Sequence, residues 1–108
     1  MKVSNFTSNS GNKVANQFII ERFVQHGDAD NLPMATVKET VFQSYDSVIV
    51  RRTCDACGDD FIELDRVYWN YSKTTGKYRN QFLGETKKET EKKIASGEYI
   101  LTDLNGAE

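Results

Sequence analysis

Two cysteines separated by two residues, in Cys54-Asp55-Ala56-Cys57-Gly58, and a lone histidine, His26, are the side chains of this chain best suited to hold a metal ion. Thiolate and imidazole are the preferred ligands of structural zinc, and a Cys-x-x-Cys turn lets one loop present two of the four tetrahedral ligands. There is no second Cys-x-x-Cys, so the expected zinc staple takes His26 as third ligand and a carboxylate as fourth, Asp28 ahead of Asp30 or water. The competing account is two reduced cysteines on a turn and an exposed histidine. A redox dithiol fits poorly, because such motifs open a helix after a strand and the segments flanking Cys54 and Cys57 both read as β. Catalytic zinc would need an open position and a nearby base such as Asp59 or Asp60. The sequence has no His-Glu-x-x-His helix, Gly-rich phosphate loop or Gly-x-Ser-x-Gly elbow, and the expectation is a binding protein rather than an enzyme.

Charge is unevenly placed, although its net value is only −2. Over 26–65 nine acids stand against Lys38, Arg51 and Arg52, whereas 71–93 carries seven bases against Glu85, Glu89 and Glu91. The net value argues against a strongly basic nucleic-acid binder and against an all-over acidic mimic of DNA. Solvated faces account for most charge runs. The functional counterpart of the first run is an acidic surface of Asp28, Asp30, Asp55, Asp59 and Asp60 that docks on a basic protein, where complementary charge speeds association and sets orientation. The counterpart of the second is a nucleic-acid face, with Tyr68, Trp69, Tyr71 and Tyr78 as stacking platforms among Lys73, Lys77 and Arg79. The same aromatics and arginine are equally the makings of a protein-binding hot spot, or of core and rim.

These groups need a scaffold, and 108 residues at 38% hydrophobic and 28% charged suffice for one soluble domain over 1–108. No apolar run is long enough to span a bilayer, and the first residues lack the apolar core of a signal peptide, so a reducing cytoplasm is expected. Residues 1–13 read as a polar arm that Val3 and Phe6 can pin to a sheet, and 105–108 as a tail. Alternation and β-branched content predict strands over 14–24, 36–42, 48–53, 61–64 and 99–102, with a turn at 44–47 and the cysteines at the tip of a second hairpin. Residues 67–71 read as a strand or the start of a helix. Tyr78, Phe82 and Leu83 at helical spacing, with Gly84 behind them, predict a short helix over 77–83. Thr86-Lys87-Lys88-Glu89 matches a capping box and predicts a polar helix to Ser96, stopped by Gly97. The expected fold class is α+β: an antiparallel sheet of four to five strands with one or two short helices in the C-terminal half.

Several stretches, spread over 5–84, are similar to a known family: Asn5-Phe6-Thr7-Ser8, Gly11-Asn12-Lys13-Val14-Ala15-Asn16-Gln17-Phe18-Ile19-Ile20, Phe42-Gln43-Ser44-Tyr45, and above all Tyr68-Trp69-Asn70-Tyr71-Ser72-Lys73-Thr74-Thr75-Gly76-Lys77-Tyr78-Arg79-Asn80-Gln81-Phe82-Leu83-Gly84. They resemble small proteins of tailed phages and mobile elements. The tip at 54–60 and the loop at 26–33 depart from that family's shorter turns, which would make a metal site this member's own addition. Small acidic phage proteins with a metal clip look like inhibitors of host defence, here a zinc-containing anti-CRISPR protein acting in the bacterial cytoplasm. The resemblance implies a CRISPR effector such as Cas9 as partner, held by Asp30, Asp55, Asp59 and Asp60. The alternative it leaves is a phage nucleic-acid-binding accessory protein using Tyr71, Lys73, Lys77, Tyr78 and Arg79.

Overall fold

β-Branched and aromatic residues at two-residue spacing put most of the first 65 positions into a sheet. The computed structural model describes residues 2–7, 11–26, 35–54 and 60–106, with backbone alone at 24–26 and 35–37. Its strands are β1 (Lys2–Thr7), β2 (Lys13–His26), β3 (Ala35–Ser44), β4 (Ser47–Cys54), β5 (Asp60–Asp65) and β6 (Tyr99–Thr102), with helices α1 (Lys73–Leu83) and α2 (Lys87–Ser96) between β5 and β6. They form one sheet in the order β1-β2-β3-β4-β5-β6. Neighbours from β1 to β5 run antiparallel, whereas β6 pairs parallel to β5 from Ile62 opposite Tyr99 to Asp65 opposite Thr102. The α+β class is observed, but the sheet has six strands rather than four or five and is mixed rather than wholly antiparallel. A parallel neighbour needs a crossover, and the two helices supply it.

The extra strand is the arm expected at 1–13. Its residues are mostly polar, and Phe6 decides the matter: it is 4% exposed, with its ring edge-on to Phe42 at 5.2 Å and 5.4 Å from Tyr78. Register aligns Phe42, Val50 and Leu64 across three strands, all with no exposed surface. Burying a side chain the size of Phe42 contributes roughly 2–3 kcal/mol. Phe82 of α1 stacks on Phe42 at 5.9 Å, which seats the helix on this face of the sheet.

α1 begins one turn before the 77–83 expected. Ser72 is its N-cap, accepting from the Thr75 N–H at 3.1 Å, and Gly84 closes it in the left-handed conformation at φ 70°. α2 occupies the segment its capping box predicts. Glu89 N–H donates to Thr86 Oγ1 at 3.3 Å, and Thr86 N–H donates to Glu89 Oε1 at 3.2 Å. Residues 66–71 form successive turns instead of a strand, organised by the carboxylate of Asp65. That side chain is 1% exposed and accepts from the N–H groups of Val67 at 3.0 Å, Tyr68 at 2.8 Å and Leu104 at 2.9 Å. Asn105, expected to start a tail, is pinned beside it: Val48 N–H donates to its Oδ1 at 2.7 Å and its Nδ2 donates to Val48 O at 3.0 Å. Among the described residues no helix is long and apolar enough to cross a membrane.

Candidate anion-binding groove

A glycine in the second turn of a helix costs about 1 kcal/mol relative to alanine. Gly76 holds that position in α1, and the nearest atoms a Cβ there would meet are Nη2 of Arg79, at 3.6 Å, and its guanidinium neighbours, all at ordinary contact distance. Crowding therefore does not demand the glycine. Its effect is that position 76 sets no side chain against the guanidinium.

Arg79 is 1% exposed, an unusual fate for an arginine, and its contacts within the described residues are neutral. Nη1 donates to Trp69 O at 2.7 Å, Nη2 donates to Asn80 Oδ1 at 2.9 Å, the guanidinium lies 5.4 Å from the centre of the Trp69 ring, and Nε is buried without an acceptor. Burial pushes this group below the ordinary arginine value, with Glu91 and then Glu85 pulling the other way at longer range. The result is a buried cation whose charge is only partly offset. It floors a groove of about 590 Å³ whose other walls are Asn70, Ser72, Lys73, Gly76, Lys77, Asn80 and Lys87. The lining carries four cations and no carboxylate. Lys87 Nζ lies 3.7 Å from Glu91 Oε1 on the same helix.

Ser72 is shared with a second recess of about 330 Å³, lined by Ser44, Tyr45, Asp46, Ser47, Ile49, Tyr68, Tyr71 and Thr75. Tyr68 and Tyr71 stand edge-on at 5.4 Å, and at the back of the recess Ser44 Oγ and Thr75 Oγ1 share a buried hydrogen bond at 3.0 Å. Groove and cleft therefore meet at the first residue before α1. Of the seven residues singled out for a nucleic-acid face, Lys73, Lys77 and Arg79 line the groove and Tyr68 and Tyr71 line the cleft, whereas Trp69 packs against the core and the ring of Tyr78 belongs to it at 8% exposure. Lys87, Asn70, Asn80 and Tyr45 were not singled out. A glycine four residues after a helix-capping serine was the signal for the groove.

The acidic and metal-ligating residues are placed less completely. Cys54 ends β4 opposite Asp60 and Lys38, and His26 ends β2 opposite Ala35. β3 thus lies between the two. Asp28, Asp30, Asp55, Cys57 and Asp59 lie outside the described residues. Among the described residues no three His, Cys, Asp or Glu side chains gather to hold a metal. Asp60 is exposed and lies 3.9 Å from Nε of Arg52.

A family model matches residues 1–98. The chain belongs to DUF8033, a family of unknown function. No curated protein and no solved structure matches this DUF8033 chain.

The helix carrying Lys87 is itself fastened by a polar cluster. In this DUF8033 member the Tyr99 hydroxyl donates to Glu85 Oε1, and Lys93 Nζ lies 3.0 Å from Glu85 Oε2, whose side chain is 4% exposed. Burial first, then the Glu85 hydrogen bond, pushes the Tyr99 phenol up to about 12. Lys93 is raised as well, chiefly by its hydrogen bond to Glu85. Both shifts favour the protonated form in the folded protein. The Tyr99 stabilisation is therefore complete below the unfolded tyrosine value near 10 and is lost as pH rises toward 12, by about 2–3 kcal/mol, whereas the Lys93 share is lost only above the ordinary lysine value. Urea midpoints measured from pH 9 to 12 should fall over that window in the wild type and less in Tyr99→Phe, which loses the tyrosine share and keeps that of Lys93.

Proposed function

We propose that this chain binds nucleic acid by its phosphate backbone in the groove on α1. The observation that carries the reading is the buried Arg79 guanidinium, hydrogen-bonded among the described residues to the neutral acceptors Trp69 O and Asn80 Oδ1, in a groove edged by Lys73, Lys77 and Lys87. An anion in the groove offsets a charge already removed from water, where attraction is stronger than between solvated ions. The overall charge of −2 does not oppose this, because phosphate responds to the local field within about 8–10 Å at ordinary salt. Four groove cations predict a salt slope of about +3 in log Kd against log salt for a single strand, counted at about 0.7 per neutralised phosphate. Fluorescence anisotropy of a labelled oligonucleotide between 50 and 200 mM salt measures it, at concentrations set by the assay. Lys73→Glu with Lys77→Glu should lower affinity at least tenfold and flatten the slope by about 1.4. Absence of binding at the lowest salt, or an unchanged slope in the double variant, overturns the reading.

A second reading rests on Cys54, which closes the described part of the β4–β5 hairpin opposite Asp60, at the tip where a Cys-x-x-Cys zinc staple was expected. On that reading the chain is a phage inhibitor of a CRISPR effector, with zinc held by His26, Asp28, Cys54 and Cys57 and the partner met by Asp30, Asp55, Asp59 and Asp60. It requires close to one equivalent of zinc by elemental analysis, and capture of the effector that Asp59→Lys with Asp60→Lys abolishes and the groove variants leave intact.

A further inference from the structure

We infer that the tyrosine cleft beside the groove takes one unstacked base, so that the site selects single-stranded over duplex nucleic acid. This rests on the phosphate-binding reading above and adds the part of the ligand that the groove does not touch.

Tyr45 is the first reason. It is the first central residue of the two-residue turn joining β3 to β4, with φ 54°, a left-handed conformation that hairpin turns of this length normally give to glycine or asparagine. An aromatic side chain there is strained, and it is held in place from several sides. Its N–H donates 2.7 Å to the carbonyl of Asn16, which is itself left-handed at φ 64°, and Gln43 Nε2 donates to its carbonyl at 2.8 Å. Strain sustained in this way collects at binding sites. Its product here is a ring 54% exposed that lines the cleft, together with Tyr71, 70% exposed and next in sequence to the helix cap Ser72.

The cleft's chemistry is the second reason. Aromatic walls suit the face of any base and are worth a factor of about ten per base stacked. The Ser44 and Thr75 hydroxyls at the back supply a donor and acceptors for a base edge, and Asp46 at the mouth accepts from an exocyclic amine while turning phosphate away. The groove has the opposite polarity, cations and amides with no carboxylate. Ser72, common to both, sets them as neighbours, so a nucleotide whose phosphate lies over Gly76 has its base directed to the tyrosines. A duplex cannot use this arrangement, because its bases are stacked and their edges paired.

Three labelled ligands of one length test the inference: a single strand, its duplex, and the same strand with abasic sites throughout. The intact strand should bind about tenfold more tightly than either of the others. Tyr71→Ala and, separately, Tyr45→Gly should each bring the intact strand close to the affinity of the abasic one. Tyr45→Gly keeps both backbone hydrogen bonds and relieves the turn, so misfolding does not cloud that arm. Equal affinity for intact and abasic strands, or tyrosine variants that bind the intact strand like wild type, overturns the base cleft while the groove stands. Failure to bind any of the three overturns both.

Discussion

Asp65→Ala should lower the unfolding free energy by about 3–5 kcal/mol, the largest loss expected from any single polar substitution in this chain. One carboxylate accepts from three backbone N–H groups, two in the turn that follows β5 and one at Leu104, thirty-nine residues on. At 1% exposure water has no room to replace it, and hydrogen bonds to a charged acceptor contribute about 1.5–3 kcal/mol each. Small domains have about 5–15 kcal/mol in total, so the variant should be marginal at 37 °C. Asp65→Asn retains one acceptor oxygen and turns an amide toward the remaining donors, and it should fall between alanine and wild type. Urea denaturation with unchanged m-values checks both; a loss below about 1 kcal/mol for alanine would show that the donors find other acceptors. The effect also reaches the ligand site, because the turn Asp65 organises carries Tyr68, Trp69 and Tyr71.

Arg79→Met should behave in the opposite way, costing affinity without much stability. The substitution keeps an unbranched side chain of comparable reach and removes both the hydrogen bonds to Trp69 and Asn80 and the cost of burying a charge. These offset, and the net change in stability should be within about 1 kcal/mol. Oligonucleotide affinity should drop tenfold or more, since the groove keeps its lysines but loses the one cation that water does not already satisfy. Gly76→Ala completes the argument: about 0.5–1 kcal/mol more stable through helix propensity, yet weaker in binding, because a methyl group now covers the guanidinium. Wild-type affinity in both variants would remove Arg79 from the site. Calorimetric unfolding alongside anisotropy separates the two effects.

Much of the scaffold was legible in the sequence because short-range rules govern it. Alternation in β3, the Thr86 and Glu89 capping box, and Gly97 after α2 are local signals, and the elements formed where those signals lie. What escaped depends on contacts distant in sequence. β1 has the composition of an arm and becomes a strand through one buried ring, Phe6. The parallel placing of β6 is set by how far two helices carry the chain, which a four-residue strand does not reveal. Gly76 lies inside a helix, so α1 starts a turn earlier than its apolar spacing suggests. The candidate site was half visible: lysine and tyrosine types identified the region, whereas the burial of Arg79 and the left-handed backbone of Tyr45 are tertiary facts with no local signature.

The bonds that Leu104 and Asn105 make to Asp65 and Val48 give the molecule an order of assembly. A chain leaving the ribosome presents β1 to β5 first, and these pair with sequence neighbours as they emerge. The turn of tyrosines emerges next, with its Asp65 latch short of one donor until the residues after β6 arrive. During synthesis the sheet therefore precedes the site. A nascent chain stalled before residue 104 would already protect its β3 amides from exchange with solvent while remaining blind to the ligand, and binding would switch on only with the last few residues described here.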